Sequence, residues 1–528
     1  MTSFIPESAP FDEEQRAWLN GFFAGLTGML DEQTATAVAS GASPAGLMTA
    51  PETKVQEEED EDFPWHDAAL SMDERMTLAQ EKPIKRQLMA AMAQLDCGSC
   101  GYVCQTYAEA IADGSETNLT LCSPGGKDTK KMLKTLLADA PADKGAAPVS
   151  DSKPAENGFT RRNPYNAKLI QSRALNGQGS AKDTRHVAID LGDSGITYNV
   201  GDALGVYPRN CDELVDEILS VLQIDPQATT SFDGETQSFQ EILTSKCCLK
   251  DPSDELLELV LQHSADPDTK SLINKMIDDG TEDEFDVLDA LQLVPEMKIS
   301  GDDLIATLSP LNPRLYSIAS SQSVVGTQVH LTVGKVSFRR GTRQRKGVAS
   351  TMFSDRMKPG QHVAVFVQPN HAGFTIPADG DTPMIMVGPG TGIAPFISFL
   401  QQRDHDSATG DNWLFFGDQH QETDFLYQSQ LTQYQSNGLL NRLDTAFSRD
   451  GDSKVYVQDR MQENAPQLFA WLERGAVFYV CGDASRMAID VDLTLRAIVQ
   501  TEGGMNESQA AEYVERMTRE GRYHRDVY

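Results

Sequence analysis

The chain has 528 residues, enough for about three or four domains at roughly 100–200 residues each, and 40% of them are hydrophobic. Acidic residues outnumber basic ones 78 to 45, a formal net charge of −33. Such a balance excludes nucleic acid and anionic membrane surfaces as partners; it favours partners with basic patches, or serves only to keep the protein dispersed. No apolar run reaches the roughly 18 residues of a membrane-spanning helix. The opening "MTSFIPESAPFDEEQ" lacks the basic and apolar regions of a secretory signal, so a cytoplasmic location is expected.

Residues 1–30 contain one amphipathic helix, "FDEEQRAWLNGFFAGLTGML", with Asp12 and Gln15 as a capping pair. Trp18, Phe22, Leu26 and Met29 recur at helical spacing and make an apolar face that docks either on this chain or on another subunit. Residues 31–63 are an Ala/Ser/Thr/Gly/Pro-rich linker closed by the acidic run Glu57–Asp62. Residues 64–138 hold half of the chain's eight cysteines, and 139–158 form a second linker. From 159 the pattern changes. "TRHVAIDLGDSGITYNVGDALGVYP" reads as short strands of a small barrel, about 210–300 reads as helical, and strands return at "PRLYSIASS" and "QVHLTVGKVSF". From 381 on, "PMIMVG", "NWLFFG", "RLDTAFS" and "AVFYVCG" alternate with helical stretches, as in a parallel sheet. The fold class expected is multidomain α/β plus β-barrel.

Two features carry chemistry. "PMIMVGPGTGIAPF" is a buried strand, a glycine-rich turn and a helix start; Gly388, Gly390 and Gly392, with Thr391, let backbone N–H groups approach a phosphate, or simply make a tight turn. Cys97, Cys100, Cys104 and Cys122 form a C-x2-C-x3-C-x17-C array, with Gly98 and Gly101 supplying tight turns. In a cytosolic chain such a cluster points to metal or redox chemistry rather than disulfides. An iron–sulfur cluster, a structural zinc and free thiols all remain open; the fourth cysteine stands without a second knuckle, which favours the cluster over zinc.

Several motifs occur together in order: "DLGDSGITYNVGDALGVYP", "PRLYSIASSQ", "GPGTGIAPF", "NWLFFG", "KVYVQDR", "YVCGDASRMAIDV" and the final "YHRDVY". On these residues, 159–528 resembles the ferredoxin-reductase half of the diflavin reductases, and among them the flavoprotein alpha subunit family of assimilatory NADPH–sulfite reductase. The resemblance implies an FAD-binding domain at 159–380 with a helical connecting insert, and an NADP-binding domain at 381–528. It implies that Arg314, in Arg314–Leu315–Tyr316–Ser317, pairs with the FAD pyrophosphate, that Tyr316 covers the flavin and that Ser317 lies near the hydride-accepting nitrogen. Thr332, Val333, Gly334 and Phe338 would line the adenine side. Gly347, Val348, Ala349 and Ser350 would offer the pyrophosphate backbone and hydroxyl groups.

Ser448, Arg449, Lys454, Tyr456 and Gln458 match the family's site for the adenosine 2′-phosphate, so NADPH is preferred over NADH; a hydroxyl and two cations suit a dianion. Asp490 matches a further cofactor contact. Cys481 and Asp526 match residues that assist hydride transfer with Ser317, and the terminal aromatic, Tyr528, would stack on the flavin. No flavodoxin-like stretch precedes residue 159, which argues against FMN. The cysteine segment resembles the small 4Fe–4S domain of Rnf-type electron-transport and corrinoid iron–sulfur proteins through "CGSCGY", "YAEAIA" and "LCSPGG". Those proteins usually have four residues between the second and third cysteines, where this chain has three. A 4Fe–4S cluster in place of FMN would give the one-electron exit that a hydride-fed flavin requires. The acceptor expected is a siroheme sulfite reductase subunit in a hetero-oligomer; a nitrate or nitrite reductase, or a free flavodoxin beside a zinc docking module, are the alternatives.

Overall fold

In the computed structural model, the structure describes residues 63, 65–66, 70–94, 100–116, 118–122, 124–139, 158–282, 284–370 and 373–528. The N-terminal helix, residues 31–62 and 140–157 of the two linkers, and Cys97 with Gly98 lie outside the described residues. Residues 64–528 form one compact unit.

The cysteine-bearing segment is helical: α1 (Met72–Ala79), α2 (Ile84–Ala90), α3 (Cys104–Ala112) and α4 (Gly126–Asp139). Ser71 and Glu74 form a capping box that starts α1. Its core is small, centred on Trp65, Leu88, Met89, Tyr107 and Leu133, each no more than 1% exposed.

The barrel is a six-stranded antiparallel sheet. Its strands are β1 (Tyr165–Ala174), β2 (Thr184–Asp190), β3 (Ala203–Val206), β6 (Arg314–Ser317), β7 (Gln328–Gly334) and β10 (His362–Gln368), in the order β6-β3-β10-β1-β2-β7. A bridge between Ile318 and Leu331 brings the two ends of the sheet together. Between β3 and β6 lies the insert, with its own core of Val215, Ile218, Leu256, Leu288 and Leu304 among others. Helices Asp212–Leu222, Asp254–His263 and Pro267–Asp279 fall where helical periodicity placed them. The insert also contains a hairpin, β4 (Thr229–Phe232) with β5 (Glu235–Ser238), inside the stretch expected to be helical. Its Asp233-Gly234 turn takes positive φ at both residues, +50° and +79°, the geometry that a two-residue hairpin demands. A second hairpin, β8 (Ser337–Arg340) with β9 (Arg343–Lys346), leaves the barrel after β7.

The last domain is a five-stranded parallel sheet of β11 (Met384–Val387), β12 (Asn412–Asp418), β13 (Arg442–Phe447), β14 (Val477–Gly482) and β15 (Tyr523–Val527), in the order β13-β12-β11-β14-β15. Along β12, Trp413 and Phe415 enter the core on one face while Leu414 and Phe416 enter that on the other. A parallel sheet covered on both faces needs such near-continuous apolar strands. No helix of the described residues is long and apolar enough to cross a membrane.

Candidate functional site

The glycine turn sits where the packing of the parallel sheet demands it. After β11 the chain turns through Gly390, at φ +57°, into the helix Ala394–His405. A Cβ on Gly392 would overlap the Cys481 carbonyl, and one on Gly388 would lie 2.6 Å from the Gly392 carbonyl oxygen. The loop therefore lies flat against the carboxyl end of β14. That end of a parallel sheet is where ligands bind, because the connecting loops and helix N-termini converge there.

A cleft of about 1100 Å³ opens at this edge. Gly390 and Thr391 form one wall with Tyr528, and Ser448, Arg449, Lys454, Tyr456, Gln458 and Asp490 form another. Gln458 Nε2 donates to Asp490 Oδ2 at 3.2 Å. The Ser448 N–H is held by the Asp418 carbonyl at 2.9 Å, and that of Arg449 by the Gln419 carbonyl at 2.9 Å, which fixes the loop after β13. Lys182, Lys335 and Arg486 join the lining, and residue-by-residue reading had assigned none of them a role. Lys182 pairs with Asp418 and Lys335 with Asp355. Among the described residues no ion pair engages Arg449, Lys454 or Arg486. Three unneutralised cations around an exposed tyrosine ring suit a phosphorylated, aromatic ligand. Arg486 stands inside the "CGDASRM" motif, at the turn from β14 into the next helix, and that position was the available signal.

Ser317, Cys481 and Asp526 come together from three strands in two sheets. β14 pairs with β15 so that Cys481 stands opposite Asp526. Ser317, at the end of β6 in the barrel, donates its hydroxyl to Asp526 Oδ2 at 2.7 Å, and the Cys481 thiol donates to the same oxygen at 3.6 Å. Cys481 is fully buried. Burial first, and then the Asp526 charge, push its thiol well above the ordinary range, so it stays neutral and donates. Tyr528 follows β15. Its N–H bonds the Gly482 carbonyl at 3.0 Å, and its hydroxyl meets Thr391 Oγ1 at 2.9 Å. The residue lines the cleft, and burial pushes its phenol well above the ordinary range.

Within the barrel, Arg314, Leu315, Tyr316 and Ser317 make up β6, paired to β3 with Tyr316 opposite Leu204. The Arg314 guanidinium donates to the Asn312 carbonyl at 2.9 Å. Tyr316 lies edge-on to Phe353, and burial pushes its phenol up to about 12. Gly347 turns tightly against Ser350, whose Oγ accepts the Val336 N–H at 3.1 Å. Among the described residues the N–H groups of Val348, Ala349 and Ser350 have no backbone acceptor, as at the start of any helical turn, and such a turn can receive an anion. Gly334 lines the large cleft and Phe338 is exposed on its hairpin. Val333 is wholly in the barrel core, and Thr332 is buried with its hydroxyl 2.7 Å from Tyr427 Oη, so these two offer a ligand their backbone only.

In the cysteine segment, Cys100, Cys104 and Cys122 line one small pocket with Tyr102, Tyr107 and Pro124. Gly101 has φ +77°, and a Cβ on Gly125 would lie 2.9 Å from Cys122 Sγ, so both glycines are required by the loops that carry the thiols. Among the described residues no group of three or more histidines, cysteines or acids closes on a metal position. Three sulfurs on one pocket, with Cys97 outside the described residues, are a donor set that suits an iron–sulfur cluster or zinc.

Comparison with known proteins bears on the two large domains. The FAD binding domain family matches residues 157–352, and the oxidoreductase NAD-binding domain family matches 386–492. The chain is 38% identical over 478 residues to the sulfite reductase [NADPH] flavoprotein alpha-component of Bacillus subtilis, covering 88% of this chain and 79% of that protein. It is 44% identical over 406 residues to the alpha-component of Vibrio cholerae El Tor, covering 76% of this chain and 65% of the relative. The Serratia proteamaculans alpha-component is 40% identical over 411 residues, with 76% and 67% covered. The chain belongs to the family of sulfite reductase [NADPH] flavoprotein alpha-components.

Proposed function

We propose that the chain is the NADPH-oxidising component of an assimilatory sulfite reductase, with FAD and a 4Fe–4S cluster as its redox groups, and that a siroheme-bearing subunit accepts its electrons in the cytoplasm. Bound FAD supplies the exchange between a two-electron hydride donor and one-electron carriers, and the cluster supplies the one-electron relay. The observation that carries this reading is the meeting of Ser317, Cys481 and Asp526 directly behind Gly482 and Tyr528, which line a cation-bearing cleft.

Arg449 and Lys454 hold the 2′-phosphate of NADPH, Ser448 adds a hydroxyl, and Tyr456 stacks on the adenine. Asp526 orients the Ser317 hydroxyl and keeps the neutral Cys481 thiol beside the nicotinamide. Tyr528, whose hydroxyl meets Thr391 at 2.9 Å, would cover the flavin and would have to leave Thr391 to admit the nicotinamide. Arg314 and the N–H groups of 348–350 hold the FAD pyrophosphate, while Gly334 and Phe338, with the backbone of Thr332 and Val333, border its adenine side. Cys97, Cys100, Cys104 and Cys122 ligate the cluster.

The test is anaerobic. The purified protein is assayed for FAD, FMN, iron and acid-labile sulfide, and its visible spectrum is followed as NADPH is added. About four irons and four sulfides per FAD, no FMN, and bleaching of both flavin and cluster bands are expected. Zinc without sulfide, or FMN at the level of FAD, would overturn the relay. Sulfide formation on adding a siroheme subunit, and none without it, is expected for the acceptor.

A further inference from the structure

We propose that Arg161 is the positioning residue that seats the cysteine loop against the strand carrying the flavin motif. Electrons then leave the flavin half across a docked face, not through a domain swinging on its linkers. The electron-transfer part rests on reading the four cysteines as cluster ligands; the docking part does not.

One guanidinium makes three contacts. Arg161 Nη1 donates to the carbonyl of Gly101, in the loop between Cys100 and Cys104. Its Nη2 donates to Asn312 Oδ1 at 2.9 Å, and Asn312 is two residues before Arg314. Its central carbon lies 3.6 Å from the centroid of the Tyr102 ring. The Arg161 carbonyl accepts from Tyr207 Oη at 2.5 Å, which anchors the residue to the barrel just after β3. The Tyr102 ring also stacks on Tyr107, at 5.5 Å between centroids and 27° between planes, and both rings line the cysteine pocket. The guanidinium is therefore one aromatic ring away from the pocket that the thiols share.

Gly101 shows how close the approach is. A Cβ there would lie 2.7 Å from Arg161 Nη1 and 2.9 Å from the Pro313 carbonyl oxygen, so the loop is in contact with the residue preceding Arg314. Only glycine fits, and its φ of +77° also favours glycine. A second point holds the segment elsewhere: Lys130 on α4 pairs with Asp254 of the insert. That pair is partly exposed and contributes little alone. The Arg161 contact differs because it uses a planar two-donor fork and a stacked face together, which lysine cannot reproduce.

The test uses the full-length holoprotein and the variants Arg161→Leu and Arg161→Lys. Three quantities are read: amide hydrogen exchange over 100–112, NADPH–ferricyanide turnover, and the rate at which NADPH bleaches the cluster band. FAD content and the melting curve check folding. Arg161→Leu should raise exchange in the loop by about tenfold or more as the docked face opens. It should slow bleaching by a similar factor and leave ferricyanide turnover within about twofold. Arg161→Lys should not rescue either change. Unchanged exchange in Arg161→Leu would overturn the docking, and faster exchange with unchanged bleaching would overturn the positioning role. Full rescue by lysine would show that charge alone suffices and would also overturn it. A protein lacking iron and sulfide would defeat the relay reading, while hydrogen exchange would still decide the docking.

Discussion

The cysteine segment and the nucleotide-binding domain place their functional residues by opposite means. In the nucleotide-binding domain, Cys481, Asp526 and the glycine turn stand at the ends of parallel strands whose ladder sets every register, over two apolar cores. In the segment at 64–139, four short helices and two glycine-bearing loops carry the thiols over a small core. A core of that size rarely sustains a fold alone, and such segments rely on a metal or on a neighbour. The comparison teaches that sheet geometry places the functional residues of the first region, and that short loops over a small core place the thiols of the second.

The largest expected effect separates the two regions outright. Cys97→Ala should abolish electron delivery to an acceptor protein yet leave NADPH–ferricyanide turnover, which the flavin half supports by itself; loss of both would sink the division of labour. Next comes Asp526→Asn, which removes the charge that orients Ser317 and faces Cys481. Stopped-flow flavin reduction should slow by about a hundredfold, with NADPH binding little changed. A rate within a few-fold of the parent would show that the three-residue meeting is structural only.

Arg449→Ala should raise the KM for NADPH by about 10- to 100-fold and barely alter that for NADH, since a charge-assisted bond to the 2′-phosphate is lost. Equal changes for both cofactors would remove the phosphate assignment. The smallest effect is on stability. His186 and His330, in T-shaped contact on neighbouring strands of the barrel, are held down to about 4, chiefly by burial. Both are neutral when folded and protonate more readily when unfolded, so their contribution is present above about pH 6.5 and is lost as pH falls towards 4. The melting temperature should drop by several degrees across that window, and His186→Phe should flatten the drop. A flat profile in the parent protein would contradict the burial of the pair.

Much of the barrel and the parallel sheet was legible because their strands announce themselves. "NWLFFG" and "AVFYVCG" are unbroken apolar runs that suit strands covered on both faces. The cleft residues Ser448, Arg449, Lys454 and Tyr456 were legible through motifs in a fixed order. Lys182 and Lys335 were not, because they reach the cleft from the barrel, far away in the chain. The hairpin at 229–238 was hidden inside a helical reading, although its Asp-Gly turn was a readable local signal.

The sequence alone determined which residue types were available and how they repeat: four clustered thiols, a glycine turn after a buried strand, and paired cations near an aromatic ring. Those are local properties, set by spacing and side-chain chemistry. Only the tertiary structure decided which of them meet. "YHRDVY" has no strand pattern of its own strength, yet it becomes β15 because the edge of β14 has unpaired backbone groups to satisfy, and that pairing sets Asp526 beside Cys481. Ser317 reaches Asp526 across 209 positions of chain, and Arg161 reaches Gly101 across 60. The resemblance grouped Ser317 with Asp526, but no local period carries either separation, because both follow from how whole sheets and helices pack.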